Sequence, residues 1–282
     1  MKISILVIFA LIVISCVKHN KDLIVEQIIG NEEVVAYTFK KSDKYGLLDK
    51  NYKVILQPRF DFIYGYEKYG TIKIDSGGKH LYGGDYYGYE PKYLGLINTK
   101  GEILTNPQYD EIVYGNSKIA RVKKKGKYGF IDNDGKVLIE AILDSASLEF
   151  NGIASVKKDK VWGIIKMTGE YLLRDTSLVY ISGFNENIAY YQKKQLDIFG
   201  YVNSKGTIIL DGYNGAGTFQ YGYGPIYKRE AGWGIIDSLG NVVIEPKYGK
   251  SLRIDKIENE IWALEYDEIH KEWIKLIKIK SL

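Results

Sequence analysis

The chain of 282 residues is predicted to be an all-β repeat protein, and three observations predict it. An apolar residue, usually aromatic, followed by glycine recurs along the chain at a fixed spacing. A second glycine follows most of these steps six residues later. Short runs of alternating apolar residues flank both. Composition agrees: 45% hydrophobic residues argue for a folded chain, and 25 Tyr with 30 Gly favour short strands and tight turns over long helices.

The anchoring glycines are Gly46, Gly95, Gly129, Gly163, Gly200 and Gly234, at intervals of 49, 34, 34, 37 and 34 residues. After each anchor a short strand alternates, as in Phe130-Ile131-Asp132. The second glycines are Gly101, Gly135, Gly169, Gly206 and Gly240. Glycine there supplies the positive φ of a tight polar turn between two strands. In the first copy Tyr52 takes that place and Asn51 precedes it, so the turn is expected to shift by one residue. A second strand follows, as in Val137-Leu138-Ile139, and Pro58, Pro107 and Pro246 are read as ending it in three copies. A further strand precedes each anchor, as in "KIARVKKKGKYG" and "GIASVKKDKVWG". Each 34-residue repeat thus holds about three strands and part of a fourth, and buries its apolar face only by stacking on neighbours.

These copies resemble the bacterial WG (KWG) repeat, whose pattern runs aromatic-Gly-φ-φ-Asp-x-x-Gly-x-φ-φ-φ-x-Pro-x-Tyr-Asp. Trp fills the aromatic place only at Trp162 and Trp233; Tyr45, Leu94, Tyr128 and Phe199 fill the others. Copies four and five lack the Pro-x-Tyr-Asp end, which leaves their last strand open. The resemblance implies an array of six repeats, or seven if the C-terminal stretch forms another, and says little about chemistry. A propeller-like ring is the favoured arrangement, with an open β-solenoid as the alternative. In the ring, the strand at 34–41 completes the C-terminal repeat, where "EIWALEYDEIHKEWIKLIKIK" (260–280) also alternates.

The N-terminus reads as an export signal. Lys2 precedes an apolar run from Ile3 to Ile14, too short to span a bilayer as a helix. "VISC" resembles the lipobox of bacterial lipoproteins, which implies that Cys16, the only cysteine, is lipidated. The expected organisation is a signal peptide over 1–15, a lipidated tether over 16–33 and a repeat domain over 34–282. Residue two of the mature chain is not Asp, which by the sorting rule of many lipoproteins favours the outer membrane, on its periplasmic or surface face. The formal charge of +4 rests almost wholly on Lys, with five Arg. Nucleic-acid binding is not expected from it. Runs such as "RVKKKGK" (121–127) recur at the repeat period and read as solvated turns.

Function is sought where the copies differ. The 49-residue interval holds about fifteen extra residues near 75–92, "DSGGKHLYGGDYYGYEPK", with Tyr82, Tyr86, Tyr87 and Tyr89. A second Tyr/Gly-rich stretch, 211–227, carries Tyr221 and Tyr223. Tyrosines on such backbone suit contact with a protein or a glycan, whereas a purely structural reading packs them along sheet edges. "DNDG" at 132–135 has a calcium-loop look, but its copies "NTKG", "KMTG", "NSKG" and "DSLG" keep the glycine and lose the acids, so a turn is expected and no metal. His19, His80 and His270 form no catalytic pattern, so neither enzyme activity nor a cofactor is expected. The expected function is binding at the cell envelope from a lipid anchor. A structural assembly role is the alternative, and a hydrolase with paired carboxylates the third reading.

Overall fold

The computed structural model describes residues 25–281 apart from 31–32, 84–85, 196, 250–251 and 268–269. Cys16 and the signal segment therefore lie outside the described residues. The described chain is all-β, a succession of antiparallel sheets in chain order. The first sheet is β1 (Val25–Gly30), β2 (Glu33–Lys41), β3 (Lys44–Leu48) and β4 (Val54–Phe60). The second holds β5 (Phe62–Tyr66) and β6 (Thr71–Ser76), then an inserted hairpin of β7 (Lys79–Gly83) and β8 (Tyr86–Glu90), then β9 (Tyr93–Asn98) and β10 (Ile103–Tyr109). The third is β11 (Glu111–Tyr114), β12 (Ile119–Lys124), β13 (Lys127–Asp132) and β14 (Val137–Leu143). The fourth is β15 (Ser145–Ala146), β16 (Ile153–Lys158), β17 (Val161–Lys166) and β18 (Tyr171–Asp175). The fifth is β19 (Leu178–Ile181), β20 (Ile188–Lys193), β21 (Phe199–Asn203) and β22 (Ile208–Tyr213). The sixth is β23 (Gly215–Ala216), β24 (Tyr223–Lys228), β25 (Gly232–Asp237) and β26 (Val242–Tyr248). The last is three-stranded: β27 (Leu252–Ile257), β28 (Glu260–Asp267) and β29 (Glu272–Ser281).

Two compact units result. One comprises the residues up to Ile112 with Lys123–Lys125 and Asp132–Lys136; the other comprises the remainder. In each, the core lies between consecutive sheets. Ile28, Ala36, Leu47 and Phe60 of the first sheet meet Ile63, Ile72, Ile74 and Ile97 of the second. In the other unit, Ile153, Trp162 and Ile164 meet Leu178, Tyr191 and Val202 of the next sheet. Trp162 is therefore a core residue, and Trp233 packs partly buried against the cluster around Ile244 and Ile254.

The anchoring glycines have a steric cause. Opposite Gly95 the register jumps, with Leu96 facing Thr105 but Leu94 facing Tyr109. The facing strand bows inward at this bulge. A Cβ on Gly95 would stand 2.5 Å from Thr105 O and 2.7 Å from Pro107 N. Pro107 lies inside β10, as Pro58 lies inside β4 and Pro246 inside β26, so these prolines do not end their strands. A bulge leaves one backbone N–H unpaired, and proline has none to lose. Copies four and five, which lack the proline, keep a fourth strand all the same in β18 and β22.

Three other expectations are corrected. Tyr52 itself adopts φ +62 and donates its N–H to Asp49 O, so the first turn does not shift. Its ring stacks on Tyr37 at 4.6 Å. Part of the expected tether, residues 25–30, is β1, which pairs with β2 from Val25↔Phe39 onward. With β1 on one side and β3 on the other, the segment 34–41 completes the first sheet and has no free edge to offer the C-terminal one. The stretch 260–280 does form a final sheet, together with β27.

The acidic turns prove to be backbone caps. Asp132 Oδ1 accepts from Asp134 N (3.0 Å) and Lys136 N (2.8 Å), while Gly135 N donates to Asp132 O. Asn98, Asn203 and Asp237 repeat this geometry. The lysine runs likewise lie at two-residue turns, as at Lys125-Gly126 with φ +51 and +77.

The Asp that closes the repeat pattern is a clamp between sheets. Asp61 takes Lys44 Nζ at 2.6 Å and Gly77 N at 2.8 Å; Asp144 takes Lys127 and Lys160 N in the same way. Bonding to Lys127 and Lys160 N holds the Asp144 carboxyl below its ordinary 3.8. Burial pushes Asp61 and Asp211 up, but Gly77 N and Lys44, and Lys193 respectively, more than offset it, and both also end lower. A depressed carboxylate adds stability above its unfolded pKa and loses it as pH falls through the folded value. The melting temperature is therefore expected to hold from about pH 7 to 5 and to fall below about pH 4. Asp61→Asn, Asp144→Asn and Asp211→Asn combined should flatten that fall. An equally steep fall in the triple variant would assign it to other groups.

Candidate functional site

Two places depart from the repeat and carry polar chemistry. The first is the insertion. β6 and β9 pair directly up to Ser76↔Tyr93, and residues 77–92 stand where other sheets have a two-residue turn. They continue as the β7–β8 hairpin, with Tyr82 opposite Tyr87 and Lys79 opposite Glu90. The side chains of Tyr82, Tyr86 and Tyr87 lie outside the described ones.

Asp75 holds the foot of this hairpin. It is fully buried, and its carboxylate accepts four hydrogen bonds: from Tyr89 OH (2.5 Å) and Gly78 N (2.8 Å) on Oδ1, and from Lys92 N (2.8 Å) and Tyr93 N (3.1 Å) on Oδ2. A buried carboxylate needs this many donors to offset its lost hydration. The rings add a second hold. Tyr89 stacks on Phe62 at 4.6 Å, and His80 meets Tyr89 edge-on at 5.1 Å. Burial pushes the Tyr89 hydroxyl far above its ordinary value, and the bond to Asp75 and that residue's charge add to it. Burial, with the charge of Asp75, pushes Tyr64 up to about 12. Both phenols stay neutral at physiological pH, so Tyr89 remains a donor to Asp75. Tyr89 thus fixes the hairpin from its base, which is a packing role.

The stretch 211–227 is not a long loop. It forms the end of β22, all of β23 and most of β24. Tyr221 sits in a tight turn at φ +55, its ring exposed, and its N–H (2.7 Å) and that of Gly222 (2.7 Å) both reach the carboxylate of Glu186. Tyr223 lies in β24 opposite Asp237 and packs partly buried on the following core cluster.

The second place is a cavity of about 450 Å³ in the second unit. It lies where the first strand passes to the second in four consecutive sheets, the third to the sixth. Asn116 and Ser117, Glu149 to Asn151, Phe184 and Asn185, and Thr218 line it. The bridges Phe150↔Ile153, Asn185↔Ile188 and Gln220↔Tyr223 align these turns. In that alignment Glu149 occupies the place of Phe184 and Phe219. Phe219 is buried, its ring edge-on to Tyr201 at 5.8 Å. Glu149 is also buried, with Ser117 Oγ donating to one carboxylate oxygen and Gly152 N to the other. The rings of Phe150 and Phe184 lie nearly parallel, 6.3 Å apart. The side-chain amides of Asn116, Asn151 and Asn185, all exposed, have no hydrogen-bond partner among the described residues.

Sequence reasoning missed Asp75 and Glu149. Asp75 opens the segment where the spacing breaks, and Glu149 replaces an aromatic of its copies, so each had a signal in the comparison of repeats.

Residues 45–79, 95–128, 128–162, 199–230 and 233–250, together more than half the chain, match the family described as WG containing repeat. Among curated proteins none matches. Similar solved structures include BamB from Moraxella catarrhalis, 10% identical over 87% of this chain and 81% of that one, with a TM-score of 0.34. Hsv2p of Kluyveromyces lactis is 8% identical over 88% and 96%, with a TM-score of 0.40. Apo AztD from Citrobacter koseri is 10% identical over 91% and 86%, with a TM-score of 0.33. Identities and scores of this size bear on neither ligand nor partner.

Proposed function

The chain belongs to the WG containing repeat family, and from that premise we propose that it is a lipid-anchored binding protein of the cell envelope. Cys16 carries the lipid, the repeats serve as scaffold, and the β7–β8 hairpin supplies the contact surface for a protein or a glycan. The supporting observation is the hairpin's foot. Asp75 and the Phe62–Tyr89 stack hold a segment that no other repeat has among the described residues. The regular repeats pack without such an insertion, so its presence as a braced element favours contact with something outside the chain. The distal half carries Tyr82, Tyr86 and Tyr87, residues that give wide contact area at low cost in side-chain entropy. A hydrolase would need two carboxylates facing one cleft. Glu149 is the one carboxylate lining the cavity described above, which favours binding over hydrolysis.

Replacing Tyr82, Tyr86 and Tyr87 together by Ser leaves Asp75 and Tyr89 in place. Capture of envelope components from native membranes should be lost while the melting temperature holds. Lower stability with unchanged capture would sink the binding role of the hairpin and favour the structural reading. Cys16→Ala should move the protein from the membrane to the soluble fraction, and continued membrane retention would overturn the anchor.

A further inference from the structure

The cavity of the second unit rests on neither the hairpin nor the anchor, and its lining departs from the repeat in a chemically directed way. Where the sixth sheet buries the phenyl ring of Phe219 and the fifth places the half-buried ring of Phe184, the fourth buries the carboxylate of Glu149. Packing alone is satisfied by Phe at this place, as Phe219 demonstrates. A carboxylate there costs solvation, and among the described residues its partners are Ser117 and Gly152 N. Each of its oxygens accepts one bond and keeps lone pairs for another.

We propose that this cavity is a binding site for a neutral polyhydroxylated ring, of the chemical class of a pyranose. The amides of Asn116, Asn151 and Asn185 each both donate and accept, as do sugar hydroxyls, and three consecutive repeats bring them to one rim. The rings of Phe150 and Phe184 give an apolar face for the C–H side of such a ring. The volume of about 450 Å³ suits a small ligand of one or two rings. A cationic side chain is the rival occupant, because Glu149 is the one charged group in the lining. A cation only donates, however, and would engage only the carbonyl end of each amide, whereas hydroxyls pair with both ends, so the mixed donor–acceptor rim favours hydroxyls.

The test uses the full-length protein in detergent and saturation-transfer NMR with maltose, cellobiose and the disaccharide of N-acetylglucosamine. Each is supplied at about 10 mM, enough to populate a site of millimolar affinity. At least one sugar should give a signal, weakened about tenfold or more in Glu149→Gln and in the double variant Asn116→Ala/Asn185→Ala. The two asparagines are exposed, so the double variant tests the site even where Glu149→Gln fails to fold. Absence of signal from all three sugars would overturn the proposal, as would a signal unchanged in the double variant. Binding of the peptide Gly-Lys-Gly in place of the sugars, abolished by Glu149→Gln, would overturn it in favour of a cation site.

Discussion

Gly135→Val is expected to destabilise the protein by about 3 kcal/mol or more, a fall of roughly 6–12 °C in melting temperature for a domain of this size. Two costs combine. The residue holds φ +81, where a β-branched side chain is strained, and a Cβ would stand 2.1 Å from Leu104 O on the preceding sheet. That neighbour is backbone and has no rotamer through which to yield. Gly169 separates the two costs, since it shares the conformation at φ +91 but has nothing within 4 Å of a Cβ. Gly169→Val should therefore show the conformational cost alone, about 1–2 kcal/mol. Asp134→Lys, one residue before Gly135 and exposed, should change stability by less than about 0.5 kcal/mol. Lys100 and Lys205 already occupy that place in other repeats. Equal losses at Gly135 and Gly169 by thermal melting would refute the docking of this turn on Leu104.

Asp75→Ala carries the second large effect, about 3 kcal/mol, because it strands donors instead of removing a pair. Gly78 N, Tyr89 OH, Lys92 N and Tyr93 N lose their acceptor together. The loss should be local first. Amide exchange over residues 79–90 should accelerate well before the sheets open, and denaturant titration should report the global part. Asp75→Asn keeps one carbonyl oxygen and should fall between the two. Unchanged exchange protection of the hairpin in Asp75→Ala would dismiss the carboxylate as its brace.

The repeat phase, the turn glycines, the insertion and the final strands could all be read from sequence, since each depends on neighbours a few residues apart. The family match begins at Tyr45, Gly95, Tyr128, Phe199 and Trp233, the phase that the anchoring glycines set. What could not be read depends on partners far along the chain or on very short elements. The first strands include the two-residue β15 and β23, which have no pattern to detect. Pro107 looks like a stop in the sequence because its neighbour across the bulge, Gly95, is visible only once the strands are paired. Asp75 and Glu149 escaped for the same reason. Tyr89 and Ser117 lie 14 and 32 residues from them, and nothing local marks a carboxylate as buried.

The seating of one turn on the sheet before it gives the array a direction. Gly101 faces Ile55 O, Gly135 faces Leu104 O, Gly206 faces Leu172 O and Gly240 faces Ile209 O, each with the glycine in the later copy and the carbonyl in the earlier one, while Gly169 stands clear of its neighbours. In the first copy Tyr52 occupies the place of this glycine. Because the carbonyl belongs to every residue type, the junction asks nothing of the earlier copy's side chains. A repeat duplicated or deleted at such a joint would therefore reproduce it at either cut. Lineages can lengthen or shorten such a chain by recombination without redesigning an interface, while turn insertions and single replacements such as Glu149 diversify what it holds.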